Sequence, residues 1–254
     1  MEVLTMATTI TAMKNTTTMR NDLHRLQPLA FLRLQNWLSP AFPAGSYSYS
    51  HGVEWAVEAG YIHDRESLVD WLAADLRYGT GRNEAIFFSE SWSSATNDDR
   101  KRLLNVAELA AVFRGTAEFA LESAQQGQAL RSTINKVWRD SLLDWLSDEL
   151  ANRNLPATPA VILGLASARQ GIPLAVALPA FLQSYISNLV SAGIRLIPLG
   201  QTDGQAAIAA LEDVVLAVSS DAATTTTSDL GSAAFLVDLA SMAHEIQYTR
   251  LFRS

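Results

Sequence analysis

The chain has 254 residues, no cysteine, and 26 acidic against 19 basic side chains, for a formal net charge of −7. Thiol chemistry, disulfides and cysteine zinc sites are therefore excluded, and nucleic acid is a poor partner because phosphate neutralisation needs clustered Lys and Arg. Apolar residues make up 48% and charged residues 18%, where about 25% charged is ordinary; a surface partly given over to partners fits those values, and so does an alanine-rich helical composition.

Residues 1–28 lack the cationic start and continuous apolar run of a secretory signal and read as a disordered extension. From residue 29 onward the periodicity is helical. Phe31, Leu34 and Leu38 recur at turn spacing until Ser39-Pro40 stops the segment. A loop of small residues, AFPAGSYSYS, leads to Val53, Trp55, Ala56 and Ala59, closed by Gly60. Asp64 is placed to N-cap a helix through Leu68, Trp71, Leu72, Asp75 and Leu76. Gly79 and Gly81 break it, Ala85 to Trp92 resume it, and SSATNDDR reads as a loop. Arg100-Lys101-Arg102, after two aspartates, reads as a solvated helix start, and Leu103 to Val112 continues it. An amphipathic run follows from Thr116 to about Val137, then a short helix over Leu142 to Leu150.

The second half is more apolar. A helix is expected over Pro159 to Gln170, and another from Pro173 at its favoured first position. Asp203 or Thr202 is expected to cap a helix running from Ala206 to Leu216. Ser219 to Asp229 reads as a low-complexity loop, and a last helix is expected from near Asp229 to the C-terminus. No convincing period-two strand is present, so the expected architecture is all-α, a single-domain bundle of about ten helices over residues 29–254. The uncharged stretch Gln170–Ile194 is long enough to cross a bilayer, but Pro173, Pro179 and a polar stripe interrupt it, so it reads as buried helices of a soluble, cytoplasmic protein.

Catalytic constellations are absent. His24, His51, His63 and His244 show no metal spacing and no HExxH. His51 with Glu54, or Glu54 with Glu58, would share a face that reads as solvated. Ser46, Ser48 and Ser50 lack the GxSxG elbow, and no phosphate-binding loop occurs. A stand-alone helical enzyme would have to work through Ser46, His51 or Asp203, and for Asp203 capping is the ordinary role.

Two segments stand out instead. Gln183, Ser184, Ser187, Asn188 and Ser191 form a small-polar stripe opposite Leu182, Ile186, Leu189, Val190 and Ile194, which suits a helix built to meet another helix or chain. Arg195, flanked by apolar residues, must reach a carboxylate, a carbonyl or a partner, with Asp203 and Glu245 as the intramolecular candidates. The tail HEIQYTRLFRS concentrates Tyr248, Arg250, Leu251, Phe252 and Arg253; that composition suits an interface hot spot or docking onto the chain's own core, and the residues leave both open.

SPAFPAGSYSYSHGVEWAVEAG (39–60), GLASARQGIP (164–173), YISNLVSAGIRLIPLGQTDGQ (185–205) and SMAHEIQYTRLFRS (241–254) together resemble the urease accessory protein F family (UreF). The likeness runs from about Leu29 to the end, with Val53 and Arg169 as mild departures. It implies an all-helical homodimer without activity, cofactor or metal site of its own. Such a chain would bridge accessory protein D (also called H) and the GTPase accessory protein G, which handle nickel and GTP, with apo-urease reached through the complex. Carried over residue by residue, Tyr248, Arg250, Leu251 and Phe252 would engage accessory protein D. Asn188, Arg195, Gln201, Asp203 and Gln205, with the turn Gly45-Ser46-Tyr47, would shape the dimer or the GTPase-facing surface.

Overall fold

The computed structural model describes residues 26–254, and all its regular elements are helical. In chain order these are α1 (Pro28–Trp37), α2 (Val53–Glu58), α3 (Arg65–Tyr78), α4 (Thr80–Thr96), α5 (Arg100–Val112), α6 (Ala117–Val137), α7 (Ser141–Asn152), α8 (Pro159–Arg169), α9 (Leu174–Leu196), α10 (Gln201–Ala210), α11 (Glu212–Ala222) and α12 (Phe235–His244), with 3-10 turns at Ser46–Ser48 and Thr227–Asp229. The expected extension over 1–28 lies outside the described residues as far as residue 25, and Pro28 already opens α1.

The caps follow local chemistry. The Asp64 carboxylate accepts the Ser67 N–H at 2.8 Å to start α3, and Thr116 Oγ1 accepts the Phe119 N–H at 3.1 Å to start α6. Between α3 and α4 the break is a single residue, Gly79. A Cβ at Gly79 would lie 2.5 Å from Asp75 Oδ1, so the corner closes only around glycine. Asp75, on the last turns of α3, then caps α4 by accepting the Thr80 N–H at 2.9 Å.

α4 and α8 form the centre, and Phe87, Phe88, Ile86, Ile162 and Leu165 are wholly enclosed there. Gly164 sets their spacing: a Cβ there would stand 2.5 Å from the Phe88 carbonyl oxygen. Ser91 Oγ donates to the Val161 carbonyl at 2.8 Å across the same crossing. α9 packs on α2, α3, α4, α8, α10 and α11. It is the one described helix long and apolar enough to cross a membrane by length and composition. Its apolar face, through Leu182, Ile186, Leu189 and Val190, is buried in the bundle. Arg169, which departs from the resembled pattern, pairs with Asp140 at 2.8 Å and so ties α8 to the cap of α7.

Five boundaries differ from expectation. α4 starts at Thr80, not Ala85, and Gly81 lies inside it. α4 continues through Ser93 to Thr96, where Thr96 Oγ1 and Asn97 Nδ2 bond back to carbonyls four residues earlier. The helix expected from Ala206 to Leu216 is two, since the chain turns at Leu211, a wholly buried side chain. α11 extends to Ala222, into the expected loop. The last helix begins at Phe235 and ends at His244, leaving residues 245–254 as an extended strap over the body.

Candidate functional site

The strap is held by charge and backbone bonding more than by apolar contact. His244 closes α12 with no exposed surface, and its ring lies between two carboxylates. Nδ1 is 2.8 Å from Glu118 Oε2 on α6, and Nε2 is 3.1 Å from Glu54 Oε2 on α2. Glu54 also accepts the Leu251 N–H at 2.6 Å and the Phe252 N–H at 2.9 Å. Arg250 donates to Glu118 at 3.1 Å. Burial pushes the Glu118 carboxyl up, and its contacts with the His244 ring and the Arg250 guanidinium pull it back only in part. Farther along, Arg253 N–H donates to the Ser48 carbonyl at 2.9 Å, Ser50 N–H to the Ser254 carbonyl at 2.7 Å, and Ser254 Oγ to Glu122 Oε2 at 2.8 Å.

Glu122 is shared with His51. The His51 ring stacks on Phe119 with centroids 3.8 Å apart, and its Nδ1 lies 3.2 Å from the Glu122 carboxylate. Burial alone would lower the His51 pKa; the Glu122 carboxylate, helped by Asp75 and Glu84, outweighs it and raises the value above 6.5. One expectation is thereby corrected. His51 and Glu54 do not form a solvated helix face: both are buried, because His51 precedes α2 in a left-handed conformation (φ 56°) and Glu54 points into the strap.

The polar stripe of α9 faces a groove. Gln183, Ser184, Ser187, Asn188 and Ser191 line one wall of a cavity of about 490 Å³, opposite α6 and the segment 37–47. Two stripe-side residues pin the preceding loop: Asn188 Nδ2 donates to the Ser46 carbonyl at 2.9 Å, and Arg195 Nη2 to the Tyr47 carbonyl at 3.0 Å. Gly45 supplies the left-handed turn there (φ 73°), and the Tyr47 ring projects outward. Arg195 also lies over the Phe252 ring, 4.3 Å from its centroid. It therefore bonds neither of the carboxylates expected of it, Asp203 or Glu245, but joins the Gly45-Ser46-Tyr47 turn to the strap. Sequence reasoning kept those two segments separate; one guanidinium brings them together.

Gln201, Asp203 and Gln205 sit on α10, which packs on α3 and α9. Asp203 is not the N-cap but the third residue of the helix, and it accepts the Gly200 N–H at 3.0 Å. The side chains of His51 and Asp203 thus serve separate structural bonds, and Ser46 is held through its backbone carbonyl. Of the tail, Phe252 is only 5% exposed, whereas Tyr248 and Leu251 are open to solvent. Beside them α12 displays Phe235, Leu239, Met242 and, just past its end, Ile246, all exposed. The clasp residues Glu54, Glu118, Glu122, His51 and His244 were missed as a group. The signal that could have found part of it was Glu118 and Glu122, four apart and flanking Phe119 on the buried face of α6. Among the described residues no cluster of three His, Asp or Glu side chains converges as metal ligands would.

The sequence profile of the UreF family matches residues 62–212. The urease accessory protein UreF of Rhodopseudomonas palustris strain BisB5 is 47% identical over 238 residues, covering 94% of this chain and 97% of that protein. The chain belongs to the UreF family. UreF proteins of Bradyrhizobium diazoefficiens and Granulibacter bethesdensis are 44% and 45% identical, over 92% and 89% of this chain and 95% and 94% of their own lengths. UreF family members are non-catalytic urease accessory proteins.

Proposed function

We propose that this chain is a scaffold of urease maturation: a homodimer that bridges accessory protein D (H) and the GTPase accessory protein G, so that GTP-dependent nickel insertion into apo-urease can proceed. Nickel and GTP are held by the partners. The observation that carries this reading is the apolar ridge of α12 and the strap. Ile246 is 88% exposed and Tyr248 fully so, while the strap that carries Tyr248 is fixed a few residues on, where the buried Glu54 carboxylate accepts the Leu251 and Phe252 N–H groups. Large apolar side chains shown to solvent on a rigid support are the anatomy of an anchor for another protein. Accessory protein D is assigned to this ridge, with Tyr248, Arg250 and Leu251 in direct contact and Phe252 as the rivet that seats them. The Gly45–Tyr47 turn, Asn188, Arg195 and α10 with Gln201, Asp203 and Gln205 are assigned to the second copy or the GTPase. The side-chain bonds of His51 to Glu122 and of Asp203 to the Gly200 N–H favour this over a stand-alone enzyme.

The test mixes the purified chain with accessory proteins D and G and measures the mass of what forms. The full chain should enter a complex containing both. A chain ending at Gln247 should lose accessory protein D while keeping its helix content by circular dichroism. Normal capture of that shortened chain would reject the ridge as the contact.

A further inference from the structure

His244 poses a proton-counting problem. A neutral imidazole carries one N–H, yet both ring nitrogens face carboxylate oxygens, at 2.8 Å and 3.1 Å, in a site closed to water. With one proton only, a ring lone pair would confront a carboxylate lone pair, an uncompensated buried contact. The charged groups that meet the ring are Glu54 from α2 and Glu118 from α6, with Glu245 next to it in sequence and Arg250 of the strap on Glu118; Glu58 meets Gln247, and Glu122 meets His51 and Ser254. Among the described residues Arg250 is the one cation in direct contact with the triad's carboxylates, so the negative side is in excess and a further proton is favoured.

We infer that the Glu54–His244–Glu118 triad retains one proton beyond that of a neutral ring, and that this proton positions the strap. His244 is in this sense a positioning residue for the partner-binding ridge; the inference rests on the scaffold reading for its biological meaning but not for its physics. The coupling runs through Glu54. The same carboxylate that meets His244 Nε2 accepts the backbone N–H groups of Leu251 and Phe252. When the extra proton is lost, Glu54 and the ring repel, Glu54 shifts, and the two amides lose their acceptor. The strap then loosens while the helices stay packed on their own core. The burial that pushes Glu118 up acts in the same direction, since it makes the triad hold its proton more tightly.

The experiment measures hydrogen-exchange protection of the Leu251 and Phe252 amides in the free full-length chain, from about pH 6 to about pH 9, each rate corrected for intrinsic exchange. One coupled proton limits the slope to about tenfold per pH unit. Protection in the wild-type chain should fall with rising pH towards that limit, while α4 and α8 keep theirs. His244→Gln, whose two N–H donors share one nitrogen and so do not reach carboxylates on opposite sides as the ring does, should be at least about tenfold less protected and flat with pH. Glu118→Gln removes the need for the second proton, because its amide can donate to the ring. That variant should stay protected and also be flat. Wild-type protection that ignores pH, or a Glu118→Gln variant that keeps the wild-type slope, would overturn the inference even if His244→Gln fails to fold. Capture of accessory protein D is measured alongside. If protection behaves as expected and capture does not follow it, the assignment of the ridge to that partner fails and the proton inference stands.

Discussion

Phe252→Ala isolates what the strap's one buried ring contributes. The ring is 5% exposed and lies under Arg195. Truncating a buried Phe costs about 3–5 kcal/mol when the site cannot collapse, and loss of the cation–π contact adds about 0.5–1 kcal/mol at a site of this exposure. The backbone bonds of Leu251, Phe252 and Arg253 survive the change, so the loss falls on strap docking and not on the bundle. Because segments open locally, the global penalty cannot exceed the free energy with which the strap is docked. The expected signature is therefore split. Trypsin cleavage after Arg250 should accelerate on the order of a hundredfold, as about 3 kcal/mol implies, while the melting temperature falls by only a few degrees. Arg195→Ala should show a coupling with Phe252→Ala of about 0.5–1 kcal/mol in a double-mutant cycle. Unchanged cleavage in Phe252→Ala, or strict additivity with Arg195→Ala, would refute the account of Arg195 as the tie between turn and strap.

Two other perturbations probe the body. Gly164→Ala places a Cβ 2.5 Å from the Phe88 carbonyl oxygen, so overpacking of about 1–3 kcal/mol or more should outweigh the gain of about 1 kcal/mol in helix propensity; the melting temperature should fall, and a rise would show that α4 and α8 can separate freely. His51 carries a raised pKa, so the native state binds its proton more tightly than the unfolded chain does. Its contribution is complete below the unfolded value of 6.5 and fades as pH rises through the raised folded value. The difference in unfolding free energy between wild type and His51→Phe should shrink across that interval, and a difference that grows with pH would contradict the pairing with Glu122.

The helical segments were legible because their signals are local. Asp64, Thr116 and Pro159 mark starts that their own next turns satisfy, and the α9 stripe announced a polar wall at the spacing of one helix. Boundaries went astray where a distant partner decides. Leu211 ends α10 because its side chain is buried in the core. Residues 245–254 look helical from composition, yet Glu54 and Ser48, far away in sequence, offer their amides better acceptors than a further helical turn does. The clasp was illegible for the same reason: Glu54 in its short helix reads as a surface residue until α12 folds across it. Arg195 shows the limit most plainly, since its need for a partner was evident from its apolar flanks and the identity of the partner was not.

The arrangement also explains why a polar clasp suits this surface better than apolar packing would. A strap seated by several leucines would be more stable, but it would consume the side chains a partner needs and would hold whether or not a partner was present. Here the strap spends a single ring, Phe252, on the body, and Tyr248 and Leu251 stay outward. Much of the fixation comes from the Glu54 carboxylate and the backbone of Ser48 and Ser50, which bond the strap through its own backbone. Backbone amides specify register without specifying side chains, so the outward positions stay free to match another protein. Buried ionic contacts add little net stability but penalise every misalignment. The ridge is thereby presented in one conformation at small energetic cost, which lowers the ordering penalty of association. Docking and binding become separable quantities: substitutions that remove the Glu54 acceptor or the His244 donors should weaken capture by disordering the strap, whereas substitutions in Tyr248 or Leu251 should weaken it with strap protection intact.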